Sequence, residues 1–137
     1  MRSSPLLTAN PLITREWQLH HAVSHVAAAD TVWSEEEQTL FLYYHGENNT
    51  TRLATSTDGI YFEYDCVLIT TDMWPGSIEA SYAHVFRHAI PGQGNRYVAL
   101  VRGSLGGTRH VFLAWSKDGR TWEPRPEPLL SPPPETN

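Results

Sequence analysis

Two stretches of this chain, sixty positions apart, spell nearly the same phrase. Residues 54–63 read ATSTDGIYFE and residues 114–123 read AWSKDGRTWE. Ala54, Ser56, Asp58, Gly59 and Glu63 recur as Ala114, Ser116, Asp118, Gly119 and Glu123, and the aromatic Phe62 recurs as Trp122. Self-similarity at a fixed period marks one supersecondary unit used more than once, because such a unit cannot bury its apolar face alone. The material around both copies is strand-like, with short β-prone runs joined by Gly- and Pro-rich turns. Repetition of such runs at this spacing predicts blades of a β-propeller.

Reading outward from the two phrases gives two matching units. In the first, AADTVW at 28–33, TLFLYYHG at 39–46, TRLATS at 51–56 and IYFEY at 60–64 are expected strands, followed by the linker CVLITTDMWPGS. In the second, IEASYAHVFRH at 78–88, RYVALVRG at 96–103, HVFLAWS at 110–116 and TWEP at 121–124 repeat the plan. Gly46 pairs with Gly103, and the connection through SLGGT from Gly103 to Ala114 is three residues longer than that from Gly46 to Ala54. NPLIT at 10–14 reads as a lone strand before the first unit. The expectation is an all-β fold, with two four-stranded antiparallel meanders plus one N-terminal strand forming β-propeller blades in an incomplete ring. All of 1–137 is then a single partial propeller domain. Residues 10–26 supply the N-terminal strand and connection, 27–70 the first blade, 77–131 the second blade and 132–137 a tail.

The repeated turn has a local mechanism. Asp accepts backbone hydrogen bonds within a tight turn, and the following Gly takes φ > 0 at little cost. Asp58, Asp118, Ser56 and Ser116 are therefore expected to be structural, and Phe62 and Trp122 to pack between blades. A closed propeller needs about 4–8 blades. Two blades leave apolar faces open to water, which must be covered. The chain is then a fragment of a longer protein, a protomer that completes a ring with other copies through its open blade faces, or an open half-propeller.

Charge narrows the partners. The formal net charge is −5 and no dense Lys/Arg run exists, so nucleic acid and anionic membrane are excluded as expected partners. Glu35, Glu36 and Glu37 read as a solvated hairpin loop. Cys66 is the lone cysteine, so no intrachain disulfide is expected. The N-terminal segment has no long apolar run and no stretch spans a bilayer, so a cytoplasmic location is expected and the sequons at 48–51 stay silent. No GxGxxG, P-loop, HExxH or GxSxG pattern occurs, so no cofactor is expected. His20, His21 and His25 lack the context of a metal site, and none is expected.

Several segments together resemble a known family. SH at 24–25, DTVW at 30–33, LYYHG at 42–46, TRLATSTDGIYFE at 51–63, SYAHVFRH at 81–88 and SKDGRTWE at 116–123 are similar to the five-bladed propeller glycoside hydrolases, the arabinanase and invertase type. The resemblance covers roughly residues 10–131. The sialidase box is the nearest competitor, but 116–122 has one residue fewer between Asp and Gly than that box requires.

The resemblance implies a glycan or small-sugar partner and a site at the channel mouth. Glycoside hydrolysis needs two carboxyl groups flanking the sugar bond. Glu79, in Ser77-Ile78-Glu79-Ala80, resembles the family's general-acid setting, with Ser81 where the family often has Pro. Asp30 is the second carboxylate. Aligning the family's Asp-Pro-Ser-Val on Val32 places Ala29 at the Asp position, so Asp30 fits only if a bulge shifts the strand by one residue. His25, His45, Tyr82, His84 and Arg87 are the expected sugar-binding groups. The expected function is a glycoside-hydrolase-like, carbohydrate-active propeller protein. Its rivals are a non-catalytic carbohydrate-binding module that closes a propeller by self-association, using Trp33, Trp74 or Trp115 as stacking platforms, and an inactive truncated remnant.

Overall fold

The repeated phrase folds into the same turn twice. Ser56 Oγ accepts from the N–H groups of Asp58 (3.2 Å) and Gly59 (2.8 Å), and donates to Asp58 Oδ1 (2.9 Å). Asp58 Oδ1 also accepts from the Ile60 and Tyr61 N–H groups, both at 2.9 Å. Ser116 and Asp118 repeat this network at 3.2, 2.8, 3.0, 2.9 and 2.9 Å. Gly59 and Gly119 share a φ of 79°, in the left-handed region where only glycine is unstrained.

The computed structural model describes residues 13–15 and 23–133. It is all-β, apart from a single 3-10 turn at Thr71–Met73. Strands β1 (Ala27–Ser34), β2 (Thr39–His45), β3 (Thr50–Ser56) and β4 (Glu63–Thr70) form one antiparallel sheet in chain order. Strands β5 (Ala80–Arg87), β6 (Tyr97–Leu105), β7 (Thr108–Ser116) and β8 (Trp122–Pro124) form a second. No helix among the described residues is long and apolar enough to cross a membrane. The expected strand at 10–14 lies mostly outside the described residues, and Ile13 and Thr14 form no strand.

Two elements differ from the sequence reading. The fourth strand was expected at 60–64, with Cys66 onward as linker; β4 instead begins at Glu63 and runs to Thr70. Asp58 holds Ile60 and Tyr61 in the turn, and Leu68 and Ile69 are buried in the sheet. The SLGGT loop shrinks to Gly106 and Gly107 (φ 59° and 83°), since β6 and β7 pair as far as Leu105 and Thr108. Two successive positive φ angles make the hairpin turn that matches strand twist.

Period-2 alternation sends the two faces of β2 to different partners. Phe41 and Tyr43 face the second sheet and join Tyr97, Ala99, Val101, Phe112 and Trp122 in the larger core. Trp74 is buried there too, stacked on Phe112 at 4.7 Å, so it is no sugar platform. Leu42 and Tyr44 face away and pack with Ala54 and Phe62. Ile13 and Val26 lie against that outer cluster, so the face expected to be open is partly covered by this chain.

The first strands of the two sheets, β1 and β5, carry the same irregularity. Ala27 pairs with His45 and Asp30 with Tyr43, so β1 holds one extra residue there. Ser81 pairs with Arg102 and His84 with Leu100, which repeats the insertion in β5. Ala28 and Tyr82 absorb it at φ 54° and 52°. The bulge that the Asp30 alignment required is thus present in β1.

The Glu35–Glu37 segment is a hairpin loop, but its charges are not simply solvated. Glu36 bonds Arg96 (2.6 Å) and Tyr97 (2.8 Å), with Arg87 at 3.4 Å. Glu37 bonds Arg120 at 2.6 and 3.0 Å. The β1–β2 hairpin therefore clasps the second sheet. The Arg96 hydrogen bond, then a backbone hydrogen bond, holds Glu36 down to about 2 against the upward push of burial, with Tyr97 and Arg87 adding to the lowering. A carboxyl depressed on folding stabilises the native state above its unfolded value near 4.5 and loses that effect as pH falls through about 2. Glu36→Gln is expected to cost about 1 kcal/mol at pH 7. It should also flatten the fall in Tm between pH 4.5 and 2. Thermal melts of both proteins across that range check this.

Candidate functional site

The loop that enters β5 is fixed by both sheets. Ser77 Oγ donates to the Glu79 carbonyl (2.7 Å) and accepts from the N–H groups of Glu79 (3.3 Å) and Ser104 (3.0 Å). The Ala80 N–H donates to the Asn48 carbonyl (2.8 Å), and Thr51 Oγ1 donates to the Ala80 carbonyl (2.9 Å). A Glu on this segment has little freedom to swing away.

The Glu79 side chain is 9% exposed. Its Oε2 accepts from Arg102 Nε and Ser81 Oγ, both at 2.6 Å. Its Oε1 has Arg109 Nε at 3.9 Å, beyond hydrogen-bond reach, and accepts no hydrogen bond from the described residues. Glu79 lines a cleft of about 540 Å3 together with Asn48, Ile78, Ser104, Thr108 and Arg109 among others. Its size is within the ordinary range for small-molecule sites, about 300–1,000 Å3.

Behind Glu79 the polar groups are stacked. The Arg102 guanidinium lies 3.7 Å from the Tyr82 ring centroid, a cation–π distance. The Tyr82 ring lies 4.6 Å from His45, and His45 meets His25 edge-on at 5.2 Å. His25 Nδ1 is 2.8 Å from Ser24 Oγ, which bonds Glu47 at 2.7 Å. His45 is buried, and its Nδ1 has no hydrogen-bond partner among the described residues. Burial lowers its pKa, nearby His25 and Arg102 lower it further, and Glu79 acts the other way. These effects favour the neutral imidazole of His45.

The expected site residues fall into three groups. Glu79, Tyr82, His45 and His25 form one connected set. Asp30 is elsewhere: its Oδ2 accepts from the Val85 N–H (2.6 Å) and pairs with His84 Nδ1 (3.1 Å), tying β1 to β5. Arg87 belongs to the clasp, bonded to the Trp33 carbonyl (3.2 Å) and the Tyr97 hydroxyl (2.9 Å). Sequence reading missed Arg102, Arg109, Asn48, Ser104 and Thr108. Arg102 alone carried a signal, since it precedes Gly103 as His45 precedes Gly46.

No three His, Cys, Asp or Glu side chains gather as a metal site among the described residues; His20 and His21 lie outside them. Burial, with a hydrogen bond to Asp65, pushes the Cys66 thiol up to about 11, so Cys66 offers no reactive thiolate at neutral pH.

The chain matches no family model and no curated protein sequence. Among solved structures it is similar to an N-acetylgalactosamine deacetylase from F. plautii, determined in complex with blood group B trisaccharide. The TM-score is 0.56 at 17% identity, over 83% of this chain. The chain spans about a third of that protein, 33% of its length.

Proposed function

We propose that this chain is a propeller segment of a carbohydrate-active protein and that it binds a glycan in the cleft beside Glu79. The observation that carries this reading is Glu79, a rigidly held cleft-lining carboxylate whose Oε1 accepts no hydrogen bond from the described residues. Sugar hydroxyls are donors that such an acceptor selects, while Asn48, Ser104 and Thr108 offer further polar contacts. Likeness in fold to a third of a glycan-binding enzyme supports the same reading. That protein's own chemistry is not carried over at 17% identity.

Binding fits the side chains better than hydrolysis does. Cleavage needs a second carboxyl across the sugar from the first. Asp30 is engaged by the Val85 N–H and His84, and it does not line the cleft. Glu79 in turn is bonded through Oε2 to Arg102 and Ser81.

Glu79→Gln separates the roles of the two carboxyl oxygens. The amide oxygen turns toward Arg102, and the amide NH2 then points into the cleft, where it donates instead of accepting. Calorimetric titration with a neutral oligosaccharide is expected to show affinity at least about ten-fold weaker in the variant. Equal affinity in the two proteins would remove Glu79 from the site.

A further inference from the structure

A neighbouring cleft shares lining residues with the one beside Glu79. This second cleft, of about 350 Å3, is lined by Arg102, His110 and Leu130 among others, and Arg109 and Pro132 line both. We propose that the two clefts form one groove for an acidic oligosaccharide. A sugar carboxylate pairs with Arg109 while a neighbouring hydroxyl donates to Glu79 Oε1. This inference rests on the glycan-binding reading and adds the class of glycan.

Three observations carry it. Arg109 is 72% exposed, and among the described residues its one ion-pair partner is Glu79 at 3.9 Å. Its guanidinium is a planar fork that matches a carboxylate in bidentate fashion. A neutral sugar would accept hydrogen bonds from that fork without pairing its charge. Next, the charges of the groove oppose those of the whole chain. The chain carries −5, whereas Arg102 and Arg109 line the groove with Glu79 as its one carboxylate among the described residues. With Arg102 paired to Glu79 at 2.6 Å, Arg109 leaves one net positive charge on the groove of an acidic protein, which favours an anion there. Finally, Glu79 sets the register. Its free Oε1 repels a second carboxylate and accepts a hydroxyl, so the ligand must present both groups side by side. A uronic acid does.

Calorimetric titration of the full chain at low ionic strength tests this, with trigalacturonic acid and neutral galactotriose as probes. The expected result is an acid-over-neutral preference of at least about ten-fold, shrinking as salt is added. In Arg109→Ala the ratio falls to about one, and in Arg109→Lys it is intermediate, because Lys keeps the charge without the fork. The side chain is exposed, so both variants are expected to fold; circular dichroism melts check this. Equal binding of the two sugars, or a preference that survives Arg109→Ala, overturns the inference and leaves glycan binding standing. Binding of neither sugar overturns both.

Discussion

Trp122→Ala is expected to lower the unfolding free energy by about 4 kcal/mol, the usual scale for truncating a buried Trp. Trp122 is 5% exposed in the core between the sheets. Its ring meets Tyr43 edge-on at 6.1 Å, and its Nε1 donates to the Gly119 carbonyl at 3.2 Å. The Tyr43 hydroxyl donates to that same carbonyl at 2.8 Å. Removing the indole opens a cavity at the sheet–sheet contact and takes away one of the two side-chain donors to the Gly119 carbonyl, leaving Tyr43 of β2 as the other. Urea denaturation of both proteins checks this. A loss below about 1 kcal/mol would mean that the contact between the sheets does not depend on the repeated aromatic.

Glu79→Ala is expected to cost about 2–3 kcal/mol, because it strands the partly buried Arg102 and the buried Ser81 hydroxyl together. Arg102 is 30% exposed, so water recovers part of its lost interaction and the cost stays below that of a fully buried pair. Adding Arg102→Leu to Glu79→Ala should restore part of the stability, since the unpaired cation is then gone. The double-mutant cycle reads this as a coupling between the two side chains. Additive losses in urea denaturation would contradict it. This cost is also why the binding test uses Glu79→Gln, which preserves an acceptor for Arg102.

The readable parts of the fold were those with local causes. Ser56, Asp58 and Gly59 form their turn from bonds within a few residues, so a repeated phrase gave away a repeated turn and the strands on either side of it. The all-β class followed. The end of that turn was less readable. Whether Ile60 and Tyr61 belong to turn or strand depends on which N–H groups Asp58 captures. The extra residue in β1 appeared in the sequence only as a misalignment at Asp30, because the backbone of Ala28 absorbs it without a glycine.

Contacts between the sheets were hidden for a different reason. Glu36 and Glu37 form an acidic run whose neighbours in sequence suggest solvation. Their partners Arg96 and Arg120 are some sixty and eighty residues away. The cleft shows the same limit. Glu79 stood out through its motif, whereas Arg109 sits on β7 with no pattern around it. Only the pairing of β5 with β6 and of β6 with β7 brings Glu79, Arg102 and Arg109 together.

The most direct test of the account is an amide NMR titration of the full chain with a soluble oligosaccharide. Glycan binding beside Glu79 predicts shifts concentrated on Asn48, Glu79, Ser104, Thr108 and Arg109, saturating with ligand. Shifts centred on the Asp30–His84 pair, or none at saturating sugar, would contradict it.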